Sequence, residues 1–178
     1  MSSFAGGLVF FFWSSFAWMA LNLHGSYYQS LPSDQESTIR AYLRNTISQP
    51  GLYTSPGMDQ SDPNKATQMM KTGPLIFMNI HPRGINPSMG KSLFLGLVIN
   101  IIVSFFLTFM LSHTRDASYW KKVRLVVMVM LAGMIIPVFA NWNWWHFPSA
   151  YLFTMILDFV VGWSLAGMAI TRFAPQKA

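Results

Sequence analysis

A chain of 178 residues with 52% hydrophobic and only 10% charged side chains does not have the composition of a soluble domain, in which about a quarter of the residues are charged. The sequence contains no cysteine, which excludes disulfides, thiolate nucleophiles and cysteine-ligated metals. In a soluble protein, the formal net charge of +6 would suggest a nucleic-acid partner. In a membrane protein, basic loops that fix topology and meet anionic lipid explain this charge, so we expect no nucleic-acid partner.

The first apolar run covers residues 4–23 and is long enough to form a transmembrane helix. It lacks the basic flank of a secretory signal peptide. Trp18 and Met19 occupy positions where a cleavage site needs small residues. We therefore expect this segment to be a retained transmembrane helix.

The following segment, residues 24–91, is polar and holds seven of the ten prolines. Residues 33–36 have the pattern of a capping box that starts a helix, and residues 51–56 and 74–80 have the composition of two short strands. A helix and a strand pair of this size bury little core. We predict that they form a small extracytoplasmic α/β cap that rests on the membrane helices.

Three further apolar runs, residues 92–112, 125–140 and 150–171, are each predicted to cross the membrane. The first of them has a small or polar residue at every fourth position, which is typical of a face that packs on another helix in lipid. That face consists of Ser92, Gly96, Asn100, Ser104, Thr108 and Ser112. The sequence therefore predicts an all-α membrane protein with a four-transmembrane-helix bundle.

The basic residues of the short flanks predict the orientation of these helices. On one side lie Arg115, Lys121, Lys122, Arg124, Arg172 and Lys177. The short turn on the other side has neither Lys nor Arg. By the positive-inside rule, we expect both termini in the cytoplasm. The protein is then expected to be a multi-pass protein of a bacterial inner membrane, with the cap outside.

Asp158 is the only acidic residue within an apolar run. Such an acid disfavours insertion by about 2.5–3.5 kcal/mol and must face protein or water. Counting from the outer helix ends places Asn100 and Ser15 at its depth, and Thr154 and Ser104 extend the polar faces. We predict that these five residues form an intramembrane polar cluster. In it, Asp158 is either a neutral hydrogen-bonding partner or a proton or cation site.

Three histidines, His24, His81 and His146, are expected on the outer side, where imidazoles could bind zinc or copper. Their spacing does not match that of metal ligands, so we expect scattered surface histidines, no metal and no cofactor. The segment His81-Pro82-Arg83-Gly84 is a basic turn that could hold an anionic headgroup.

Residues 141–148 are predicted to form a turn rich in aromatic side chains. Such rings are typical of an anchor at the membrane–water interface. A pocket for a quinone or a lipid headgroup is the alternative. The anchor comprises Trp142, Trp144, Trp145, Phe147 and Tyr151.

Several motifs lie along the chain from the cap onward: Gly51-Leu52-Tyr53 with Pro56-Gly57, Met89-Gly90, Trp142-Asn143-Trp144 with Phe147-Pro148 and Tyr151, and Asp158 with Gly162-Trp163 and Ala166-Gly167. Together they resemble a family of small bacterial inner-membrane proteins of unassigned function. This resemblance covers most of the chain from the cap onward and implies no activity.

The function expected from these features is that of a non-enzymatic accessory subunit of a larger membrane complex, or of a homo-oligomer. A small transporter or channel that uses Asp158 is the first alternative. A membrane-embedded protein that handles a metal or a quinone is the second.

Overall fold

The computed structural model of the protein describes residues 1–57, 62–114 and 116–174. The helices are α1 (Ser2–Met19), α2 (Glu36–Thr46), α3 (Pro63–Thr72), α4 (Gly90–Ser112), α5 (Tyr119–Trp144) and α6 (Ser149–Phe173), with a short 3-10 helix at Leu23–Tyr27. The strands are β1 (Gly51–Ser55) and β2 (Ile76–Ile80). The chain divides into a helical unit, Met1–Tyr28 with Ser88–Ala178, and a small unit, Gln29–Pro87.

Four helices of the helical unit, α1, α4, α5 and α6, are long and apolar enough to cross a membrane. The prediction of four such helices in a mostly helical protein is confirmed. Their bounds differ most in α5, which starts six residues before the predicted span (residue 125) and continues through Pro137 to Trp144. Proline is tolerated inside transmembrane helices because neighbouring groups satisfy the carbonyl it leaves free. The start of the predicted aromatic turn, residues 141–144, is therefore helical.

The four long helices pack in the order α4, α1, α6, α5. α1 packs along α4 on one side and along α6 on the other, and α5 packs on α6, whereas α4 and α5 make no comparable contact. The main core joins all four helices through Phe10, Leu107, Val126 and Ile170. The helices therefore form a row, not a bundle that is closed along its length. The row converges at the end where α4 leads into α5.

The predicted small-residue face of α4 packs only in part. A Cβ atom at Gly7 of α1 would lie 2.7 Å from the Cα atom of Ile101, and one at Gly6 would lie 3.1 Å from the Ser104 hydroxyl. The backbones of α1 and α4 approach closely here because α1 has no side chain at either position. At Gly96, by contrast, a Cβ atom would meet no neighbouring helix or side chain within 4 Å.

The small unit contains α2, α3 and the predicted strand pair, in which Gly51 of β1 lies opposite Ile80 of β2 in an antiparallel ladder. The predicted capping box is not formed, because α2 starts after Gln35 and no side chain caps it. Helix α3 was not predicted. Its signal is Asp62, whose carboxylate accepts a hydrogen bond from the Lys65 N–H at 3.1 Å, followed by proline at the first helical position.

Candidate functional site: a buried His–Asp pair

The carboxylate of Asp158, in α6, is paired with an imidazole. Nε2 of His24 lies 3.1 Å from Oδ2 of Asp158, and the two side chains are 2% and 7% exposed. The other carboxylate oxygen, Oδ1, accepts a hydrogen bond of 2.6 Å from the indole N–H of Trp13. Both oxygens of the acid therefore have partners, which offsets the desolvation of a buried carboxyl group.

A residue with a left-handed backbone conformation turns the chain after α1 so that His24 lies against the long helices. α1 ends at Met19, and Asn22 then adopts φ 46° and ψ 36°, a conformation that asparagine tolerates better than most residues. The 3-10 helix that follows places His24 against α6. The indole of Trp18 covers the imidazole, with ring centroids 4.0 Å apart and planes 6° from parallel. The prediction that His24 is a surface residue is therefore wrong.

Tyr27 contacts the second ring nitrogen of the imidazole. Its hydroxyl lies 2.8 Å from Nδ1 of His24. Burial, with smaller contributions from Tyr28, Tyr151 and Asp158, raises the pKa of Tyr27 to about 12. At neutral pH the phenol keeps its proton and can donate it to Nδ1. In a neutral imidazole, Nε2 then carries the hydrogen and donates to Asp158.

The predicted aromatic anchor reaches this site through Tyr151. The rings of Tyr27 and Tyr151 meet edge to face at 5.3 Å. The Tyr151 hydroxyl accepts a hydrogen bond of 3.0 Å from the Asn141 amide, and its ring contacts Phe147 at 5.1 Å. These residues join the end of α5 to the start of α6, so this part of the anchor also supports the site.

The other aromatic residues of the predicted anchor lie around the same helix ends. Trp142 donates a hydrogen bond of 3.2 Å to the Ser149 hydroxyl. Trp144 is 74% exposed, whereas Trp145 is half-buried. An interfacial role for these rings stays a prediction.

Of the predicted polar cluster, Thr154 contacts the 3-10 helix that carries His24: its hydroxyl is 3.5 Å from that of Ser26. The described residues show no hydrogen bond from Asp158 to Asn100, Ser15 or Ser104; its partners are on α1 and the 3-10 helix.

The contacts along α1 place Asn100 and Asp158 at different levels. Asp158 meets α1 at Trp13, whereas Ile101, the neighbour of Asn100, meets α1 at Gly7. Six residues of helix separate these two levels by about 9 Å. Ser104 lies farther still, because it shares its contact at Gly6 with Ile170.

The three histidines considered as metal ligands are not brought together. His24 pairs with Asp158, His81 follows β2 in the small unit, and His146 follows α5 with a left-handed backbone. Among residues 1–57, 62–114 and 116–174, no three His, Cys, Asp or Glu side chains gather as a metal site would require. The absence of a bound metal stays a prediction.

The His24–Asp158 pair can hold one proton in a water-poor setting. With the proton on the imidazole the pair is a salt bridge, and with it on the carboxyl group both partners are neutral. His24 was not predicted as this partner, because residues 24–91 were assigned as a whole to the cap. The available signal was Asn22, a helix-ending residue between Trp18 and His24.

Comparison of this chain with models of known protein families, with curated protein sequences and with solved structures found no match.

Proposed function

We propose that this chain is a non-enzymatic integral membrane protein that serves as a subunit of an assembly, with a different partner or with further copies of itself. The observation that carries this proposal is the exposure of α4. Of its 23 residues only Ser104, Leu107 and Leu111 are buried, because α4 packs mainly on α1.

Lipid would satisfy the apolar part of this surface, but it leaves the polar part without partners. Within the described residues the half-buried amide of Asn100 has no hydrogen bond, and the space beside Gly96 is open. Hydrocarbon offers no hydrogen-bonding groups, whereas a neighbouring helix does, and a glycine lets that helix approach closely. The uncovered face of α4 thus fits a protein helix better than lipid.

The absence of cysteine from the sequence allows a direct test. In Gly96→Cys, the single thiol is labelled in membranes with a maleimide photo-crosslinker. We expect a covalent adduct at twice the subunit mass for a homo-oligomer, or at another defined mass for a different partner. Phe105→Cys is the matched control, because Phe105 is 57% exposed on α4 but nine residues, about 180° of helix, away from Gly96. A monomeric mass in mild detergent, with no adduct specific to position 96, would contradict the proposal.

The proposed orientation puts both termini in the cytoplasm of a bacterial cell and the small unit on the outer side of the inner membrane. It rests on Lys121, Lys122 and Arg124 at the start of α5 and on Arg172 at the end of α6. A reporter enzyme that is active only in the periplasm should work when inserted after Thr72. A cytoplasmic fluorescent reporter should work when fused to the C-terminus. The reverse pattern would refute this topology.

A second function, proton-coupled transport or conduction, is supported by the His24–Asp158 pair. A lone acid in a membrane helix has little means of exchanging a proton, whereas Asp158 has an imidazole at 3.1 Å that can pass a proton on between its two ring nitrogens. The phenol of Tyr27, 2.8 Å from the other imidazole nitrogen, extends this chain of hydrogen-bonding groups.

Proton flux into liposomes that contain a pH-sensitive dye tests this second function. If Asp158 carries protons, Asp158→Asn should abolish a flux that the unchanged protein supports, while its melting temperature stays close to the original. Asp34→Asn, which alters an exposed acid of the small unit, is the control and should keep the flux. Equal flux from all three proteins would leave the pair as a structural contact only.

A further inference from the structure

The small unit contains a cleft between α2 and the end of β2. Its volume is about 470 Å³, and Arg40 and Arg44 of α2 line it together with His81. An adjoining cleft of about 430 Å³ shares Arg44 and is also lined by Arg83. Arg44 and Pro82 line both clefts, so three arginines and a histidine border two adjoining depressions.

Local backbone structure accounts for this convergence. Arg40 and Arg44 are four residues apart, so they lie on the same face of α2. After β2, the N–H of Gly84 donates a hydrogen bond of 2.9 Å to the carbonyl of His81, with Pro82 at the second position of the turn, where its fixed φ is favoured. Gly84 has φ +73°, and the turn holds Arg83 at its tip.

The cleft concentrates charge that the small unit as a whole does not have. Residues 29–87 carry five Lys or Arg and four Asp or Glu, a net charge of +1. The basic residues are Arg40, Arg44, Lys65, Lys71 and Arg83, and the acidic ones are Asp34, Glu36, Asp59 and Asp62. Three of the five positive charges border the two clefts, whose lining contains no acid.

Most of this positive charge is uncompensated. Arg40 faces Glu36 at 3.6 Å in an exposed i, i+4 pair, which is worth little in water. Neither Arg44 nor Arg83 has an ion-pair partner among the residues that the structure describes. Their guanidinium forks are thus available to a ligand.

We propose that this cleft binds an anion of the phosphate class. Planar guanidinium groups donate paired hydrogen bonds to phosphate oxygens, and several of them around one depression suit an anion with more than one acceptor oxygen. The small unit is joined by the chain to α1 and to α4, two helices long enough to cross the membrane. The phosphate can therefore come from a free anion or from the headgroup of an anionic phospholipid.

The test uses the full-length protein in nanodiscs of zwitterionic lipid. Binding of inorganic phosphate is measured by equilibrium dialysis, and retention of phosphatidylglycerol, added at a low fraction, is measured by native mass spectrometry. The double variant Arg44→Gln/Arg83→Gln should weaken binding at least about tenfold, as expected for the loss of hydrogen bonds to a charged group. The control Lys65→Gln/Lys71→Gln removes the same charge from α3 and should bind like the unchanged protein.

The two measurements distinguish a free anion from a lipid headgroup. Phosphate binding that depends on the two arginines identifies a free anion, and arginine-dependent retention of phosphatidylglycerol alone identifies a headgroup. Binding of neither anion to a protein with an unchanged circular dichroism spectrum would overturn the proposal. An equal loss in the lysine control would also overturn it, because the effect would then reflect net charge alone.

Discussion

Nε2 of His24 lies 3.1 Å from Oδ2 of Asp158, although 134 positions separate the two residues in the sequence. This contact ties the 3-10 helix after α1 to the middle of α6. Because both side chains are almost fully buried, removing either one leaves a buried nitrogen or oxygen atom of the other without its partner.

Substitutions at Asp158 should separate hydrogen bonding from charge. Asp158→Leu leaves the imidazole of His24 and the indole N–H of Trp13 without an acceptor. We expect it to lower the free energy of unfolding by about 3–5 kcal/mol, the usual effect of breaking a buried pair. Asp158→Asn keeps the shape and an acceptor oxygen, so its melting temperature in detergent should fall much less. If both variants melt at the same temperature as the unchanged protein, the pair contributes nothing to the fold.

Trp13→Phe removes one N–H and keeps an aromatic ring on α1. The variant loses the hydrogen bond of 2.6 Å to Asp158, so it should be less stable by about 0.6–2 kcal/mol, the range for hydrogen bonds between membrane helices. Trp120→Phe is the control, because Trp120 is 62% exposed and should change stability by less than about 0.5 kcal/mol. Thermal unfolding followed by circular dichroism compares the two, and identical shifts would argue against the Trp13 bond.

Gly162→Ala should disturb the contact between α1 and α6. A Cβ atom at Gly162 would lie 2.6 Å from the indole of Trp13 and 2.8 Å from the ring of Phe10. Both rings are rigid, so we expect a loss of about 1–3 kcal/mol from overpacking. Gly133→Ala on α5 meets nothing within 4 Å and should leave stability unchanged or raise it by up to about 1 kcal/mol. If both variants melt together, the close approach at Gly162 is wrong.

Tyr27 should make stability depend on alkaline pH. Its pKa is raised from 10.0 to about 12 in the folded protein, so the folded state favours the neutral phenol. This contribution is fully present below pH 10 and is lost as the pH rises to about 12. The melting temperature should therefore fall more steeply between pH 10 and 12 in the unchanged protein than in Tyr27→Phe. In tyrosinate absorbance titrations, the difference between the two proteins should show one group that ionises near pH 12.

The four helices that are long and apolar enough to cross a membrane were predictable, because a long apolar run can adopt few stable structures. Their packing order was not predictable, since it depends on where glycines such as Gly7 allow contact with α4. The partner of Asp158 was missed for a related reason. Periodicity describes one helix at a time, whereas His24 reaches α6 only because Asn22 reverses the chain. The arginine cleft was not predicted for the same reason. The basic turn with Arg83 was identified in the sequence, but its proximity to Arg40 and Arg44 of α2 was not.

The position of α1 within the row has a consequence for the assembly of the protein in the membrane. α1 is one of the two inner helices, packed between α4 and α6, and with a mean hydropathy of 1.2 it is the least apolar of the four. During synthesis it emerges before both neighbours, and the acceptor for Trp13 follows 145 residues later. Until α6 is made, the indole N–H lacks the acceptor that it has in the folded protein. The contacts that hold α1 in its final position are therefore complete only after α6 has been made.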